Sequence, residues 1–192
     1  PTHTYAPHTA ANGEAAVAAP VERGVAERHR IAIGGHSFGA AMAANLLAHS
    51  DLFRTGIALS GAYNRTLTPF GFQATERRSF WEARDAYLAM SPFVHADKID
   101  EPILLVHGAA DSNSGTYPMQ SERLYEAISA LGGKARYVLL PHEEHHYRAR
   151  ESLMHLMWEI DRWLAEQLSP SRPKDRKPAS PAGPGPAGRP GR

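Results

Sequence analysis

The stretch Arg30–His49, RIAIGGHSFGAAMAANLLAH, decides the architecture. Ile31-Ala32-Ile33 is a short apolar run, a glycine turn follows, and Ala40–His49 consists of strong helix formers. The turn reads Gly35-His36-Ser37-Phe38-Gly39, a G-x-S-x-G pattern lying between strand and helix, which is the setting that gives the pattern meaning. Presenting a serine hydroxyl there requires a very tight turn. Side chains two positions either side of Ser37 would collide with neighbouring backbone, and glycine at 35 and 39 avoids this. The backbone N–H of Phe38, at the start of the helix, can donate to a developing oxyanion. A mere glycine turn beside a helix is the plainer reading of the same letters.

Downstream the same alternation continues. Thr55–Ser60 reads as a second short strand, and Gly61–Ser79 as an irregular excursion rich in Gly, Thr, Asn and aromatics. Trp81–Met90 has helical character and is stopped by Ser91-Pro92. Ile103–Val106 is a continuous apolar run of the kind buried on both faces of a parallel sheet, and Pro118–Leu131 follows as an amphipathic helix ending at Gly132-Gly133. Ala135–Leu140 supplies a fourth strand, and Leu153, Leu156, Met157, Ile160, Trp163 and Leu164 recur at helical spacing across Ala149–Leu168. Strands alternating with helices imply right-handed crossovers and a parallel sheet, so the class is α/β. Four strands are few for an enzyme of this kind, and the sheet is read as the second half of a larger one.

Upstream, residues 1–13 read as irregular, and Glu14–Ala26 as an Ala-rich helix that Pro20 should kink or split. The folded domain is expected over residues 14–168. Residues 169–192 hold seven of the fifteen prolines and four glycines, a composition that buries no core and reads as a disordered tail.

A serine nucleophile needs a base, and the base an orienting carboxylate, at later strand ends in the order Ser, Asp, His. Asp111 lies just past the run ending Val106-His107-Gly108, and the loop Pro141–Tyr147 after the next strand holds His142, His145 and His146. Read alone, Asp111 would be a turn or cap residue. Any of the three histidines could be the base, while His36 and His107 read as packing or hydrogen-bonding neighbours. His142-Glu143-Glu144-His145-His146 also matches H-E-x-x-H. A zinc site would need His142 and His146 on one helical face, Glu143 acting on water and a third ligand such as Glu166. The motif follows an apolar strand with no helical lead-in and leaves Ser37 and Asp111 unexplained.

Composition narrows the function classes. With 192 residues and 42% hydrophobic content the chain can bury one core, and no apolar run is long enough for a transmembrane helix. The formal charge is +1, but the tail carries six Lys or Arg against Asp175 alone, so the remainder is at −4. The positive charge therefore sits in a segment without aromatics, which argues against a nucleic-acid-binding face. Cysteine is absent, so there are no disulfides or thiolate metal ligands, and this carries no information on compartment. The chain begins at Pro1 with neither the basic nor the apolar region of a signal peptide, an opening expected of a sequence that continues upstream.

Gly34–Ala40, Ser60-Gly61-Ala62-Tyr63-Asn64-Arg65, Leu104–Asp111 and Leu140–Ser152 together resemble the prolyl oligopeptidase-like serine peptidases, nearest to their glutamyl endopeptidase branch. The similarity runs over about residues 14–168, and the stretch Ser60–Gln73 is more diagnostic than the serine turn itself. The resemblance implies an α/β-hydrolase fold with Ser37 as nucleophile and Asp111 as acid. It also implies His145 as base, because the family loop reads Pro-His-Glu-x-His. It further implies a peptide or protein substrate, cleavage after glutamate, and no metal or organic cofactor. Such enzymes carry an N-terminal β-propeller and earlier sheet strands with the second oxyanion donor, none of it in these residues, so a C-terminal catalytic fragment is expected. The sequence departs from the family at His146, usually glycine, at Glu144, usually small, and at Pro20. A carboxylesterase of the same fold, or a catalytically silent fragment with a structural or interaction role, would use the same residues. Ester against glutamyl-peptide turnover, and cooperative folding of the chain alone, separate these readings.

Overall fold

The computed structural model describes residues 5–71 and 76–169. Four parallel strands, β1 (Ala32–His36), β2 (Thr55–Leu59), β3 (Ile103–Gly108) and β4 (Ala135–Leu140), lie side by side in chain order. Between and around them run α1 (Tyr5–Glu22), α2 (Phe38–His49), α3 (Arg84–Ala89), α4 (Met119–Ala130) and α5 (Arg150–Gln167). The fold is α/β, as the alternation of apolar runs and helix formers requires.

β3 is the centre of gravity of the core. Every residue of Ile-Leu-Leu-Val-His-Gly is buried, and its side chains alternate between two layers. Ile103 and Leu105 face α2 and α4 and pack with Ala44, Leu47, Leu124 and Ile128. Leu104 and Val106 face the other way and pack with Leu156 and Trp163 of α5. The Trp163 indole N–H donates to the Thr55 hydroxyl at 2.8 Å, and Arg136 on β4 grips Glu159 with two bonds of 2.7 and 2.5 Å, which fixes α5 to the sheet. The predicted apolar stripe of α5 is only partly used. Leu156 and Trp163 are buried, whereas Leu153 and Met157 face solvent, because one helix resting across the strands covers only the residues directly beneath it.

Two boundaries differ from expectation. The first helix begins at Tyr5, inside the segment read as irregular. Pro7 falls in its first turn, where no intrahelical N–H is required. Nor does Pro20 split the helix. It lies three residues from the C-terminal end, and Val25 N–H bonds to Pro20 C=O at 2.9 Å while Gly24 N–H bonds to Val21 C=O at 3.0 Å. With Gly24 at φ 68° this is a Schellman cap, which ends the helix cleanly. Downstream, α3 is shorter than predicted because Glu82 folds back to accept from Ser79 N–H and Oγ at 2.8 and 2.6 Å. Residues 1–4 and all of the predicted tail except Ser169 lie outside the described residues. Among the described residues, no helix is long and apolar enough to cross a membrane.

Candidate active site

The strand before the serine does not end at Ile33. It runs through Gly34 and Gly35 to His36, pairing with β2 as far as Leu59, so the turn is delayed until Ser37 itself. Ser37 takes φ 58°, ψ −117°, a strained conformation for a residue with a side chain. Its N–H bonds to Leu59 C=O at 2.8 Å, and its hydroxyl makes no capping bond to α2. The turn folds the Gly39 backbone so closely onto Gly35 that any Cβ at 35 would overlap it. The expectation for Gly39 is not met: a Cβ there has nothing within 4 Å among the described residues. The collision is one-sided, since it is Gly39's backbone that occupies the space where a side chain at 35 would stand. Phe38 is the first residue of α2, and its N–H belongs to the first-turn donors that have no acceptor inside the helix.

The three residues singled out in the order Ser, Asp, His come together at the C-terminal ends of β1, β3 and β4. Ser37 Oγ is 3.0 Å from His145 Nε2, and His145 Nδ1 is 2.9 Å from Asp111 Oδ2. An ionised Asp111 only accepts, so His145 carries its proton on Nδ1 and presents a bare Nε2 to the serine. Asp111 is fully surrounded by donors. Oδ1 accepts from Asn113 N–H at 2.9 Å, and Oδ2 also accepts from the Thr116 hydroxyl and from His107 Nε2, each at 3.0 Å. Burial pulls the Asp111 carboxyl upward, but the bonds from His145, Asn113 and Thr116 outweigh it and hold the group below its ordinary value of 3.8.

His107 is the buried partner that the sequence reading left as a neighbour. Its ring has no solvent contact, with Nδ1 2.7 Å from Ser121 Oγ and Nε2 on Asp111. Burial drives its pKa below 6.5 despite the adjacent carboxylate. Thr116 escaped the sequence reading altogether. It bridges the two side chains, 3.0 Å from Asp111 Oδ2 and 3.1 Å from His145 Nδ1, and the only clue in the letters is a hydroxyl five residues after Asp111. His36 reaches across from the turn: its Nε2 donates to the His145 carbonyl at 2.7 Å. Burial lowers the His36 pKa, which keeps the ring neutral.

The H-E-x-x-H reading fails on geometry. Residues 141–149 form an irregular loop, not a helix, and His142 sits at φ 64°, so positions 142 and 146 share no helical face. Glu143 is buried and accepts from Arg148 N–H at 2.7 Å and Ala149 N–H at 2.9 Å, just ahead of α5. The His146 ring stacks on His36 at 5.0 Å, and Glu166 pairs with Lys134 at 2.6 Å. Among the described residues, no three His, Cys, Asp or Glu side chains converge on a point that could hold a metal ion.

Comparison with known proteins places the chain among relatives. The sequence pattern of the prolyl oligopeptidase family matches residues 6–171. Over 168 residues the chain is 57% identical to the probable glutamyl endopeptidase, chloroplastic, of Arabidopsis thaliana, covering 87% of this chain and 17% of that one. Against its counterpart in Oryza sativa subsp. japonica it is 57% identical over 161 residues, covering 83% and 17%. The chain thus spans about 17% of the length of these relatives. Among solved structures it superposes on a puromycin hydrolase with TM-score 0.69 and 27% identity, covering 79% of this chain and 24% of the other.

Proposed function

The chain belongs to the prolyl oligopeptidase family, and from that premise we propose that it supplies the catalytic machinery of a serine peptidase acting through Ser37, His145 and Asp111. One observation carries the reading: the unbroken contact from Ser37 Oγ to His145 Nε2 at 3.0 Å and from His145 Nδ1 to Asp111 at 2.9 Å. In this mechanism Ser37 Oγ bonds to the carbonyl carbon of a peptide while its proton passes to His145 Nε2. Asp111 holds the Nδ1–H and stabilises the imidazolium. The carbonyl oxygen becomes an oxyanion facing the Phe38 N–H, one of the donors of the α2 first turn. When the carbon–nitrogen bond breaks, the amine leaves with the proton from His145. Water then attacks the ester on Ser37, gives a proton to the same nitrogen and releases the acid, and Ser37 recovers its proton. The chloroplastic glutamyl endopeptidases support glutamate as the residue on the acyl side of the cleaved bond.

The test is covalent labelling of the full-length gene product with a fluorophosphonate, followed by intact mass and by turnover of glutamyl-peptide and short-chain ester substrates. One adduct that disappears in Ser37→Ala, with hydrolysis of glutamyl peptides, is expected. A folded protein that takes no label, or takes it equally in Ser37→Ala, would sink the mechanism. Ester turnover without peptide turnover would leave an esterase in its place.

A further inference from the structure

Three polar atoms form a nearly equilateral triangle behind the Ser37–His145 contact. Asp111 Oδ2 and His145 Nδ1 are 2.9 Å apart, and the Thr116 hydroxyl oxygen lies 3.0 Å from the first and 3.1 Å from the second. The protons within the triangle follow from its chemistry. An ionised Asp111 only accepts, so the Thr116 hydroxyl gives its one proton to the carboxylate. Its oxygen keeps lone pairs for His145, and the Nδ1–H is shared between Asp111 and Thr116. Asp111 and Thr116 are 3% and 4% exposed, so water does not compete for these bonds.

Thr116 is held as firmly as the atoms it touches. Its N–H donates to Asn113 C=O at 3.0 Å, and Asn113 donates its own N–H to Asp111 Oδ1 at 2.9 Å. The preceding Gly115 C=O accepts from Gln120 Nε2 at 3.3 Å, and the same nitrogen donates to Asn64 C=O at 3.2 Å. Gln120 Oε1 accepts from the N–H groups of Tyr63 and Asn64 at 3.0 and 2.8 Å. One buried amide thus braces the 113–116 loop against the 63–65 segment, where the Arg65 guanidinium lies over the Phe38 ring, 5.5 Å from its centroid. A single bond to Asp111 would leave the His145 ring free to swing about that bond. A second acceptor off its line removes the swing.

We propose that Thr116 is a positioning residue for His145: its hydroxyl oxygen takes a share of the Nδ1–H and holds the imidazole in the plane that aims Nε2 at Ser37. This rests on the peptidase reading above and adds to its three side chains a fourth that acts through His145. When His145 takes the Ser37 proton, its positive charge spreads over both nitrogens and the Nδ1–H becomes a stronger donor. The bond to Thr116 therefore tightens during the reaction and not on substrate binding, which places its effect in kcat. Thr116 also lines a cavity of about 170 Å³ beside Ser37, and a side chain that only shaped this cavity would act on KM.

The experiment uses the full-length gene product and compares Thr116→Val, which keeps the shape without the hydroxyl, with Thr116→Ser, which keeps the hydroxyl. Thr116→Val is expected to lower both kcat for a glutamyl peptide and the rate of fluorophosphonate labelling by about 30-fold, with KM within about twofold, the scale of one hydrogen bond to a charged group. Thr116→Ser should restore both rates to within about threefold of native. Added to Asp111→Asn, Thr116→Val should change either rate by less than about threefold, because the pair through which Thr116 acts is already broken. Native kcat in Thr116→Val, a loss confined to KM, a Thr116→Ser variant as slow as Thr116→Val, or the full effect persisting in Asp111→Asn overturns the assignment. Should Thr116→Val not fold, Thr116→Ala takes its place in the same cycle. A native protein that leaves Ser37 unlabelled would instead defeat the peptidase reading.

Discussion

Two halves of the site are held by opposite means. On the acid side, Asp111 is gripped by bonds: four donors from His145, His107, Thr116 and Asn113 converge on its two oxygens. On the serine side, Ser37 is held by shape, in a strained backbone conformation locked where the Gly39 backbone presses into the gap at Gly35. The first kind of restraint can be dismantled one atom at a time without disturbing the chain. The second cannot be loosened, only violated by adding a carbon atom. Chemistry and folding are therefore expected to be separable at Asp111 and inseparable at the turn.

Asp111→Asn is the sharpest probe of the first half. It should lower kcat by about 10⁴-fold, as loss of the tautomer-fixing carboxylate does in the Ser-His-Asp template, while far-UV circular dichroism stays native. A variant that unfolds would mean that the carboxylate holds the fold as well as the base, and the contrast would collapse. Next in size, Gly35→Ala should cost about 3 kcal/mol of stability and abolish fluorophosphonate labelling, the scale of an overpacked site that cannot relax. Gly39→Ala, whose Cβ meets open space, should stay within about 0.5 kcal/mol of the parent in urea unfolding. Equal penalties at 35 and 39 would show that the turn is restrained by something other than the Gly39 backbone on Gly35.

The smallest effect concerns His107, buried and neutral between Ser121 and Asp111 with its pKa pushed below 6.5. The unfolded chain takes up a proton at this residue near 6.5, whereas the folded chain resists until lower pH. Its contribution to stability is thus complete above 6.5 and fades as the pH falls towards the folded pKa. Asp111, held below 3.8, loses its contribution in a separate and more acidic window. His107→Gln should cost about 1 kcal/mol at neutral pH by weakening one buried bond, and should flatten the fall of Tm just below pH 6.5. An unchanged pH dependence of Tm would remove His107 from the acid side.

This division also explains what could be read from the letters. Strand and helix order, the turn at Ser37 and the order of Asp111 and the histidine loop after it depend on local pattern, and apolar runs beside turn residues state them openly, whereas the choice of His145 over His142 and His146 comes only from the family resemblance. His107, Thr116 and Gln120 depend on contacts made only after the sheet assembles, and each looks like an ordinary polar residue in isolation. Arg65 stood in the stretch that carried the family resemblance, yet nothing local says that its guanidinium ends beside Phe38. The start of α1 at Tyr5 is not legible for a different reason: proline counts against a helix except in the first turn, and Pro7 lies within it.

His36 and Ser37 are neighbours in sequence, and both touch His145, one at its backbone carbonyl and the other at its ring. A body attached at two points can neither slide nor pivot freely, so the histidine loop and the turn form a single mechanical unit although β2 and β3 lie between their strands. A displacement of the loop that lengthened the Ser37–His145 contact would also have to break the His36 bond. The separation between Ser37 Oγ and His145 Nε2 is thus gauged by a dipeptide at the end of one strand, not by the stiffness of the whole sheet.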